Sequence, residues 1–302
     1  MPIQTGRASD SGVVAIDRTR CTACGTCADI CPSETLSLNN NQIVIDHQAL
    51  FGCIACGQCM AVCPEECIEI TGRDLSPMDM VPLPSKEAQT EYPQLYSLLL
   101  ARRSVRRFSD KTIDQSTIDK LIAAVSTAPM GIPPSDVELL VLNNRAKVKE
   151  FGDDLVAGIK RSKPVLSLFA SPVARPFVGK VTYLSMKTFI VPLCELLVRS
   201  REKGIDYLLY DAPLAFYFHS SSFSDSADSI IAATYATVAA ESLGLGSCMI
   251  GTVAPFIGRS KPMIKKWGIP AKNRQGLMVI FGYQTTPYRR AIKRRLARVV
   301  TA

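Results

Sequence analysis

Histidine is nearly missing from this chain of 302 residues: only His47 and His219 occur, in unrelated stretches. Each stands isolated, so both read as structural and not as catalytic. Tryptophan occurs once and aromatic residues make up 7% of the chain, so no aromatic platform accompanies the basic tail RRAIKRRLAR at residues 289 to 298. Nucleic acid is therefore not an expected partner. Long apolar runs are absent too. The stretches near 189 to 198 and 247 to 257 fall short of a membrane span or are broken by Pro192, Glu195 and Pro255, and the first residues lack the basic start and apolar core of a signal peptide. The expectation is a soluble, cytoplasmic protein without a membrane partner. A Rossmann fingerprint is missing as well. In SLGLGSCMIG, Gly244 and Gly246 follow a helical pattern and precede a strand, the reverse of the dinucleotide-binding order, and position 249 holds no glycine. This excludes a dedicated NAD domain.

Cysteine, in contrast, is plentiful. CTACGTCADICP at residues 21 to 32 and CIACGQCMAVCP at residues 53 to 64 each read C-x-x-C-x-x-C-x-x-x-C-P. Each residue of the first set, Cys21, Cys24, Cys27 and Cys31, returns 32 positions later as Cys53, Cys56, Cys59 and Cys63. The flanks repeat with them: Ala23 with Ala55, Gly25 with Gly57, PSETLSL with PEECIEI. This is a duplicated unit. Structural zinc sites usually set two C-x-x-C pairs far apart, and a disulfide framework needs an oxidising compartment. Thiolates at this spacing suit a 4Fe-4S cube, with three from the loop and the fourth from elsewhere. In the two-cluster pattern the fourth cysteine serves the other cluster, which assigns Cys63 to the set Cys21, Cys24, Cys27 and Cys31 to the set Cys53, Cys56, Cys59. Residues 12 to 72 thus resemble a bacterial-type ferredoxin with two 4Fe-4S clusters, which implies a fold of short hairpins and helical turns and a one-electron carrier. Exposed clusters of this kind are oxygen-sensitive, so an anaerobe or a reducing niche is the expected source. Three further cysteines, Cys67, Cys194 and Cys248, remain; Cys67 aligns with Thr35 and Cys194 lies in an apolar run, and both read as buried small hydrophobes.

The length allows about two domains, and 47% hydrophobic residues suffice for a sizeable core. Charge divides unevenly. Residues 1 to 75 hold four Lys/Arg against nine Asp/Glu, a balance of −5, whereas the remainder of a chain whose total is +8 carries +13. An acidic module can dock on a basic one, although ferredoxins are usually acidic whatever they touch. Residues 73 to 92, rich in proline and without sustained period, read as a linker. Beyond it, YPQLYSLLLARRS reads as a helix, and Asp114 can cap another in which Ile118, Leu121, Ile122 and Val125 share a face and which ends before Pro129. DVELLVLNN, PLAFYFHS, SCMIGTV and LMVIFGY are strand candidates. A charged helix is expected near 145 to 162 and an Ala-rich, nearly apolar one over 227 to 243, so the class is α+β around one sheet.

ARRSVRRF at 101 to 108 brings this second part to the nitroreductase family of FMN enzymes, which it resembles further in TAPMG, DAPLAFYF, AAESLGLGSCMIGT and GIPAKNRQGLMVIFGY. The resemblance covers residues 93 to 302 and implies a nitroreductase-like α+β sandwich following the small ferredoxin-like domain. It implies that Arg102, Arg103, Ser104 and Arg106 hold the FMN phosphate and ribityl chain, completed by Lys293 and Arg295; charged, forked donors suit a phosphate dianion. A solvated basic helix end is the plain alternative for these arginines. It also implies an intertwined homodimer, in which Pro129, Met130 and Gly131 reach the flavin of the opposite subunit while Met249, Ile250 and Gly251 lie against the ring, and the 227 to 243 helix forms the dimer core; a monomer with that helix in its core is the alternative. One departure is clear. APMGIPPS stands where the family often has a polar A-P-S-x-x-N-x-Q segment. No catalytic acid or base is assigned. The implied function is an oxidoreductase passing electrons from two clusters to FMN and on to a small electron-poor acceptor: a nitroaromatic, a quinone, an enone or free flavin. An external ferredoxin and NAD(P)H are the candidate donors, and a non-catalytic electron carrier for a protein partner is the rival reading. Residues 163 to 210 are expected to be either a lid over the substrate face or a packing insertion.

Overall fold

The computed structural model describes residues 1–258, 260–273 and 275–301. The chain divides into two compact units, one of Met1–Gln89, Pro129–Glu138 and Ser220–Asp228, the other of Thr90–Ala128, Leu139–His219 and Ser229–Ala302.

In the first unit, β1 (Val13–Ile16), α1 (Thr26–Asp29), β2 (Leu36–Asn39), β3 (Gln42–Ile45), α2 (Gln58–Val62) and β4 (Ile68–Thr71) follow one another. β1 pairs antiparallel with β4, from Val13 opposite Thr71 to Ile16 opposite Ile68. β2 and β3 form a hairpin closed by Asn40 and Asn41, both at positive φ, as a two-residue primed turn requires. The sequence repeat is also a repeat of backbone. Ala23 and Ala55 have φ of 54° and 53°, and Gly25 and Gly57, the residues before α1 and α2, have 82° and 74°. A side chain other than glycine is disfavoured at that last pair, which explains why both copies keep glycine there. Val14, Leu36, Ile43, Ile68 and Ile70 form the apolar centre together with Cys27, Cys59, Met60 and Cys67.

The same unit recruits two distant segments. Arg73, only 4% exposed, donates to the carbonyls of Ile3 (2.8 Å), Asp10 (2.7 Å) and, from two nitrogens, Pro133 (3.1 and 2.6 Å). Buried Asp136 accepts from the Gly6 backbone N–H (2.7 Å) and the Ser221 hydroxyl (3.1 Å). Buried backbone oxygens and a buried carboxylate must find partners, so these contacts hold the N-terminal arm, residues 133 to 136 and Ser221 together. Residues 76 to 91 contain only two short 3₁₀ turns and are largely exposed.

The second unit opens with α3 (Tyr92–Ala101) and α4 (Gln115–Ser126), whose Asp114 cap accepts from the Thr117 N–H at 2.9 Å. β5 (Glu138–Leu142) leads to α5 (Arg145–Phe169), capped by Asn144, and then to α6 (Arg175–Ser185), a π turn over Met186–Ile190, and α7 (Val191–Glu202). α5 runs past the charged segment to Phe169 with Pro164 inside it, because Leu166 is buried on the core side of its last turns. β6 (Leu214–Ser220), α8 (Ser226–Ser242), β7 (Gly246–Ile250), α9 (Ala254–Ile257), α10 (Lys261–Lys266) and β8 (Gln275–Gly282) complete it. The sheet order is β5-β6-β8-β7. Every residue of β6 is buried, with Phe216 edge-on to Phe281 at 5.0 Å, as expected of an apolar run covered on both faces. The main core joins Leu155 and Ile159 of α5, Cys194 and Leu197 of α7, and Met278 and Ile280 of β8. α8 is buried on one face only. Ala232, Ala233, Ala236 and Ala240 are covered, while Ile230 and Tyr235 are exposed within the chain. The protein is therefore α+β, a small ferredoxin-like part followed by an α+β sheet domain.

Candidate functional site

Two small cavities in the first unit collect the repeated cysteines. Cys21, Cys24, Cys27 and Cys63 line one, with Ile43, Ile68 and Cys67. Cys31, Cys53, Cys56 and Cys59 line the other, with Val14, Leu36 and Ile70. Each cavity takes three thiols from one copy of the repeat and the fourth from the other. The left-handed residues at positions 23, 25, 55 and 57 curl each loop so that its thiols turn inward. Among the described residues no three His, Cys, Asp or Glu side chains converge closely enough for a single metal ion. Four thiols that ring a cavity without meeting suit a cube in which each sulfur binds its own iron.

The two cavities differ in their hydrogen bonds. The Ser33 hydroxyl lies 3.6 Å from Cys31 Sγ and 2.9 Å from the Thr35 hydroxyl. Beside Cys63 Sγ the neighbour is instead a thiol, that of Cys67, the counterpart of Thr35, at 3.4 Å. Burial pushes the Cys59 thiol up to about 12, and burial together with Cys63 does the same to Cys67. Cys67 is therefore a fifth thiol at the first cavity, closer to the cluster position than its reading as a plain core residue suggests.

In the second unit, residues 102 to 109 cross the paired strands β7 and β8. The Val105 N–H donates to the Ser247 carbonyl at 2.9 Å and the Ser109 N–H to that of Tyr283 at 2.8 Å. Gly246 stands opposite Gly282 across the strand pair. A Cβ at either position would come within 2.6 Å of Val105 or Phe108, so glycine at both lets the crossing segment lie flat on the sheet. That crossing sets the arginines. Arg102, Ser104 and Arg106 face Cys248, whose buried thiol is pushed up by desolvation and held back in part by both guanidinium charges and the Ser104 hydroxyl. Arg103 lines a cavity with Glu241, Tyr288, Arg289 and Arg290, and its Nε and Nη2 are buried without a hydrogen-bond partner. Arg106 and Arg107 line a separate, more open cavity with Arg145 and Tyr210.

Glu241 supplies a charge opposite Arg103 in this cavity but accepts no hydrogen bond from Nε or Nη2, so the cavity still has two donors to offer a phosphate-bearing ligand. Arg289 and Arg290 are the tail residues that reach this cavity; Lys293 and Arg295 are exposed and do not line it. Sequence reasoning passed over those two arginines because the tail offers six cations in ten residues and no periodicity to rank them. Of the ring-facing candidates, Met249 is exposed and Ile250 buried, and a Cβ added at Gly251 would meet no atom within 4 Å, which leaves room for a flat ligand beside the strand end. Pro129, Met130 and Gly131 belong to the first unit, where the Gly131 N–H donates to buried Asp228 at 3.2 Å and the Ser135 hydroxyl to Met130 Sδ at 3.4 Å. His219 is buried, with Nδ1 2.9 Å from the Asn273 side-chain amide, while His47 is exposed and lines neither cysteine cavity.

Residues 13–75 match the 4Fe-4S dicluster domain. The FMN reductase (NAD(P)H) of Bacillus subtilis (strain 168) is 27% identical over 158 residues, 51% of this chain, and the chain spans about half, 53%, of that relative's length. An FMN-bound nitroreductase from Desulfitobacterium hafniense DCB-2 shares the fold with a TM-score of 0.50 at 17% identity, over 68% of this chain and 98% of that one. Another FMN-bound nitroreductase, from Bacteroides fragilis NCTC 9343, gives a TM-score of 0.48 at 19% identity over 69% and 98%. Residues 99–283, more than half of the sequence, match the Nitroreductase family, and the chain accordingly belongs to the nitroreductase family, with a 4Fe-4S dicluster ferredoxin domain at its N-terminal end.

Proposed function

We propose that this protein is an FMN-dependent oxidoreductase in which two 4Fe-4S clusters are the electron source and a small electron-poor molecule is the acceptor. The observation that carries the reading is the pairing, in one chain, of two four-cysteine cavities with an arginine, Arg103, whose buried Nε and Nη2 have no hydrogen-bond partner. Clusters supply single electrons, and bound FMN converts them to two-electron chemistry.

The residues then divide the work. Cys21, Cys24, Cys27 and Cys63 hold one cluster, and Cys53, Cys56, Cys59 and Cys31 the other. Arg103 meets the phosphate from the cavity it shares with Arg289 and Arg290, or else Arg102, Ser104 and Arg106, which lie toward Cys248 and outside that cavity, hold it there. Lys293 and Arg295 reach that phosphate only if the exposed tail folds down. Met249, Ile250 and Gly251 form the wall for the ring, and Pro129, Met130 and Gly131 come from a second copy in a homodimer. No side chain is assigned as acid or base, and solvent supplies the proton. The open space beside Gly251 favours an acceptor reaching the ring over a sealed electron carrier. An external ferredoxin and NAD(P)H are the donors to compare.

The decisive experiment reduces the purified protein anaerobically and follows its reoxidation by a nitroaromatic, a quinone, an enone and free flavin. Saturable turnover with one of them is expected. Reoxidation by none of them, alongside fast exchange with a redox protein, would make the chain a carrier. Metal and flavin analysis of the same preparation should give about eight iron atoms and one FMN per chain, since each cube holds four irons.

A further inference from the structure

Among the described residues Arg73 is the only lysine or arginine that is buried. The turn that carries it is an unfavourable one. Gly72, Arg73 and Asp74 have φ of 93°, 49° and 59°, and two of the three bear side chains. Left-handed backbone of that kind persists where its surroundings hold it, and here it turns the guanidinium inward. The four bonds it makes all go to carbonyls, of Ile3, Asp10 and Pro133, and none to a carboxylate. Asp74 pairs with Arg7 instead, and Asp136 accepts from the Gly6 N–H and the Ser221 hydroxyl. Carbonyls satisfy the donors but leave the positive charge in place, and a buried charge is unfavourable until an opposite one lies near it.

The cavity of Cys31, Cys53, Cys56 and Cys59 supplies the opposite charge once it holds a cluster. Arg73 follows β4, whose Thr71 stands opposite Val13 of β1. The residue before Val13, Gly12, donates its N–H to the Cys53 carbonyl at 2.8 Å, and a Cβ on Gly12 would lie 3.1 Å from Cys53 Sγ. Arg73 grips Asp10, two residues before that contact. Burial raises the Cys53 thiol, and the Ala55 N–H and the Arg73 charge oppose it. At the other cavity the neighbouring cations are Arg18 and Arg20, which donate to the carbonyls of Ile43 and Glu65 from exposed positions. Water screens charges placed so.

A 4Fe-4S cube on four thiolates is an anion that gains one more negative charge on reduction, and net charge is one of the levers on its potential. A buried cation beside it favours the reduced form. We propose that Arg73 is the internal counter-charge of the cluster held by Cys31, Cys53, Cys56 and Cys59, and makes that cluster the higher in potential of the two. One electron then passes from the reduced cluster of Cys21, Cys24, Cys27 and Cys63 to its oxidised neighbour, the first being oxidised as the second is reduced, with no proton moved. Electrons entering at either cluster collect at the one beside Arg73.

Anaerobic redox titration of the full-length holoprotein, followed by electron paramagnetic resonance, should resolve two cluster potentials. Arg73→Gln removes the charge and leaves an amide that can still donate to a carbonyl; it should lower the higher potential and narrow the gap. Cys67→Ala acts at the other cluster and should widen the gap. Arg73→Lys keeps the charge without the fork and should hold the gap near its wild-type value, which a purely structural role for the side chain would not allow. A single merged potential in the wild type would overturn the proposal, as would a gap that stays unchanged in Arg73→Gln. The wild type and Cys67→Ala decide the matter even if Arg73→Gln loses iron, because a gap that narrows in Cys67→Ala would put the higher potential at the wrong cluster. The inference rests on both cavities holding clusters. Iron analysis of the wild type tests that separately, so a protein with its full iron and an unmoved gap would defeat the role of Arg73 alone.

Discussion

Cys67 shows how much one atom can distinguish two sites that the sequence makes nearly equal. Its thiol stands at 3.4 Å from Cys63, where the other copy of the repeat offers hydroxyls. Hydrogen bonds to cluster sulfurs are one lever on reduction potential. Cys67→Ala should keep about eight irons, because four other cysteines surround the same cavity, and should move one cluster's potential to more negative values. Anaerobic redox titration followed by electron paramagnetic resonance reads both. Loss of half the iron would instead make Cys67 a ligand. Arg103 is the comparable test in the second unit. Replacing it with alanine removes a charged, forked donor and should weaken FMN retention by about 1.5 to 3 kcal/mol, or roughly ten- to a hundredfold. Lysine should recover only part of this, as it cannot fork. Flavin affinity measured by fluorescence on release decides it, and unchanged affinity would remove Arg103 from the phosphate site.

Elements whose cause is local were legible in the sequence, and those held by distant partners were not. Asp114 capping α4 and the apolar run of β6 follow from neighbours within a few residues, and the structure has both. The cysteine cavities could be foreseen because the spacing itself carries the chemistry. The length of α5 could not, since a proline argues for a stop and only the burial of Leu166 argues against one. The grouping of residues 129 to 138 with the N-terminal segments was equally hidden. It depends on Arg73 and Asp136, side chains that meet partners 60 to 130 positions away. These contacts can be tested at the scale of the element they secure. Arg73→Ala strands the carbonyls of Ile3, Asp10 and Pro133 and should cost about 3 kcal/mol. An anaerobic thermal melt followed by cluster absorbance should show a lower midpoint. An unchanged midpoint would mean that the arm is held by other contacts.

At the scale of the whole molecule, α8 offers a direct test of assembly. Its alanine face is satisfied within the chain, but Ile230 and Tyr235 stand exposed on the other side. If that side meets a second copy, the double variant I230D/Y235D should halve the sedimentation mass, because buried carboxylates without partners are strongly unfavourable. A wild-type mass equal to one chain would refute the dimer. The composition of the first unit bears on a different matter, the order of events during synthesis. Its last segment, Ser220–Asp228, leaves the ribosome long after its first 89 residues have done so. At about 5 to 20 residues per second the wait is on the order of ten seconds. Throughout that interval both four-cysteine loops are already outside the tunnel, while Ser221, the partner that Asp136 needs to complete the surrounding scaffold, is still to come. Iron delivery therefore meets a nascent chain whose cysteines are present before their enclosure is finished, and the supply of clusters to the growing polypeptide becomes part of how this protein reaches its native state.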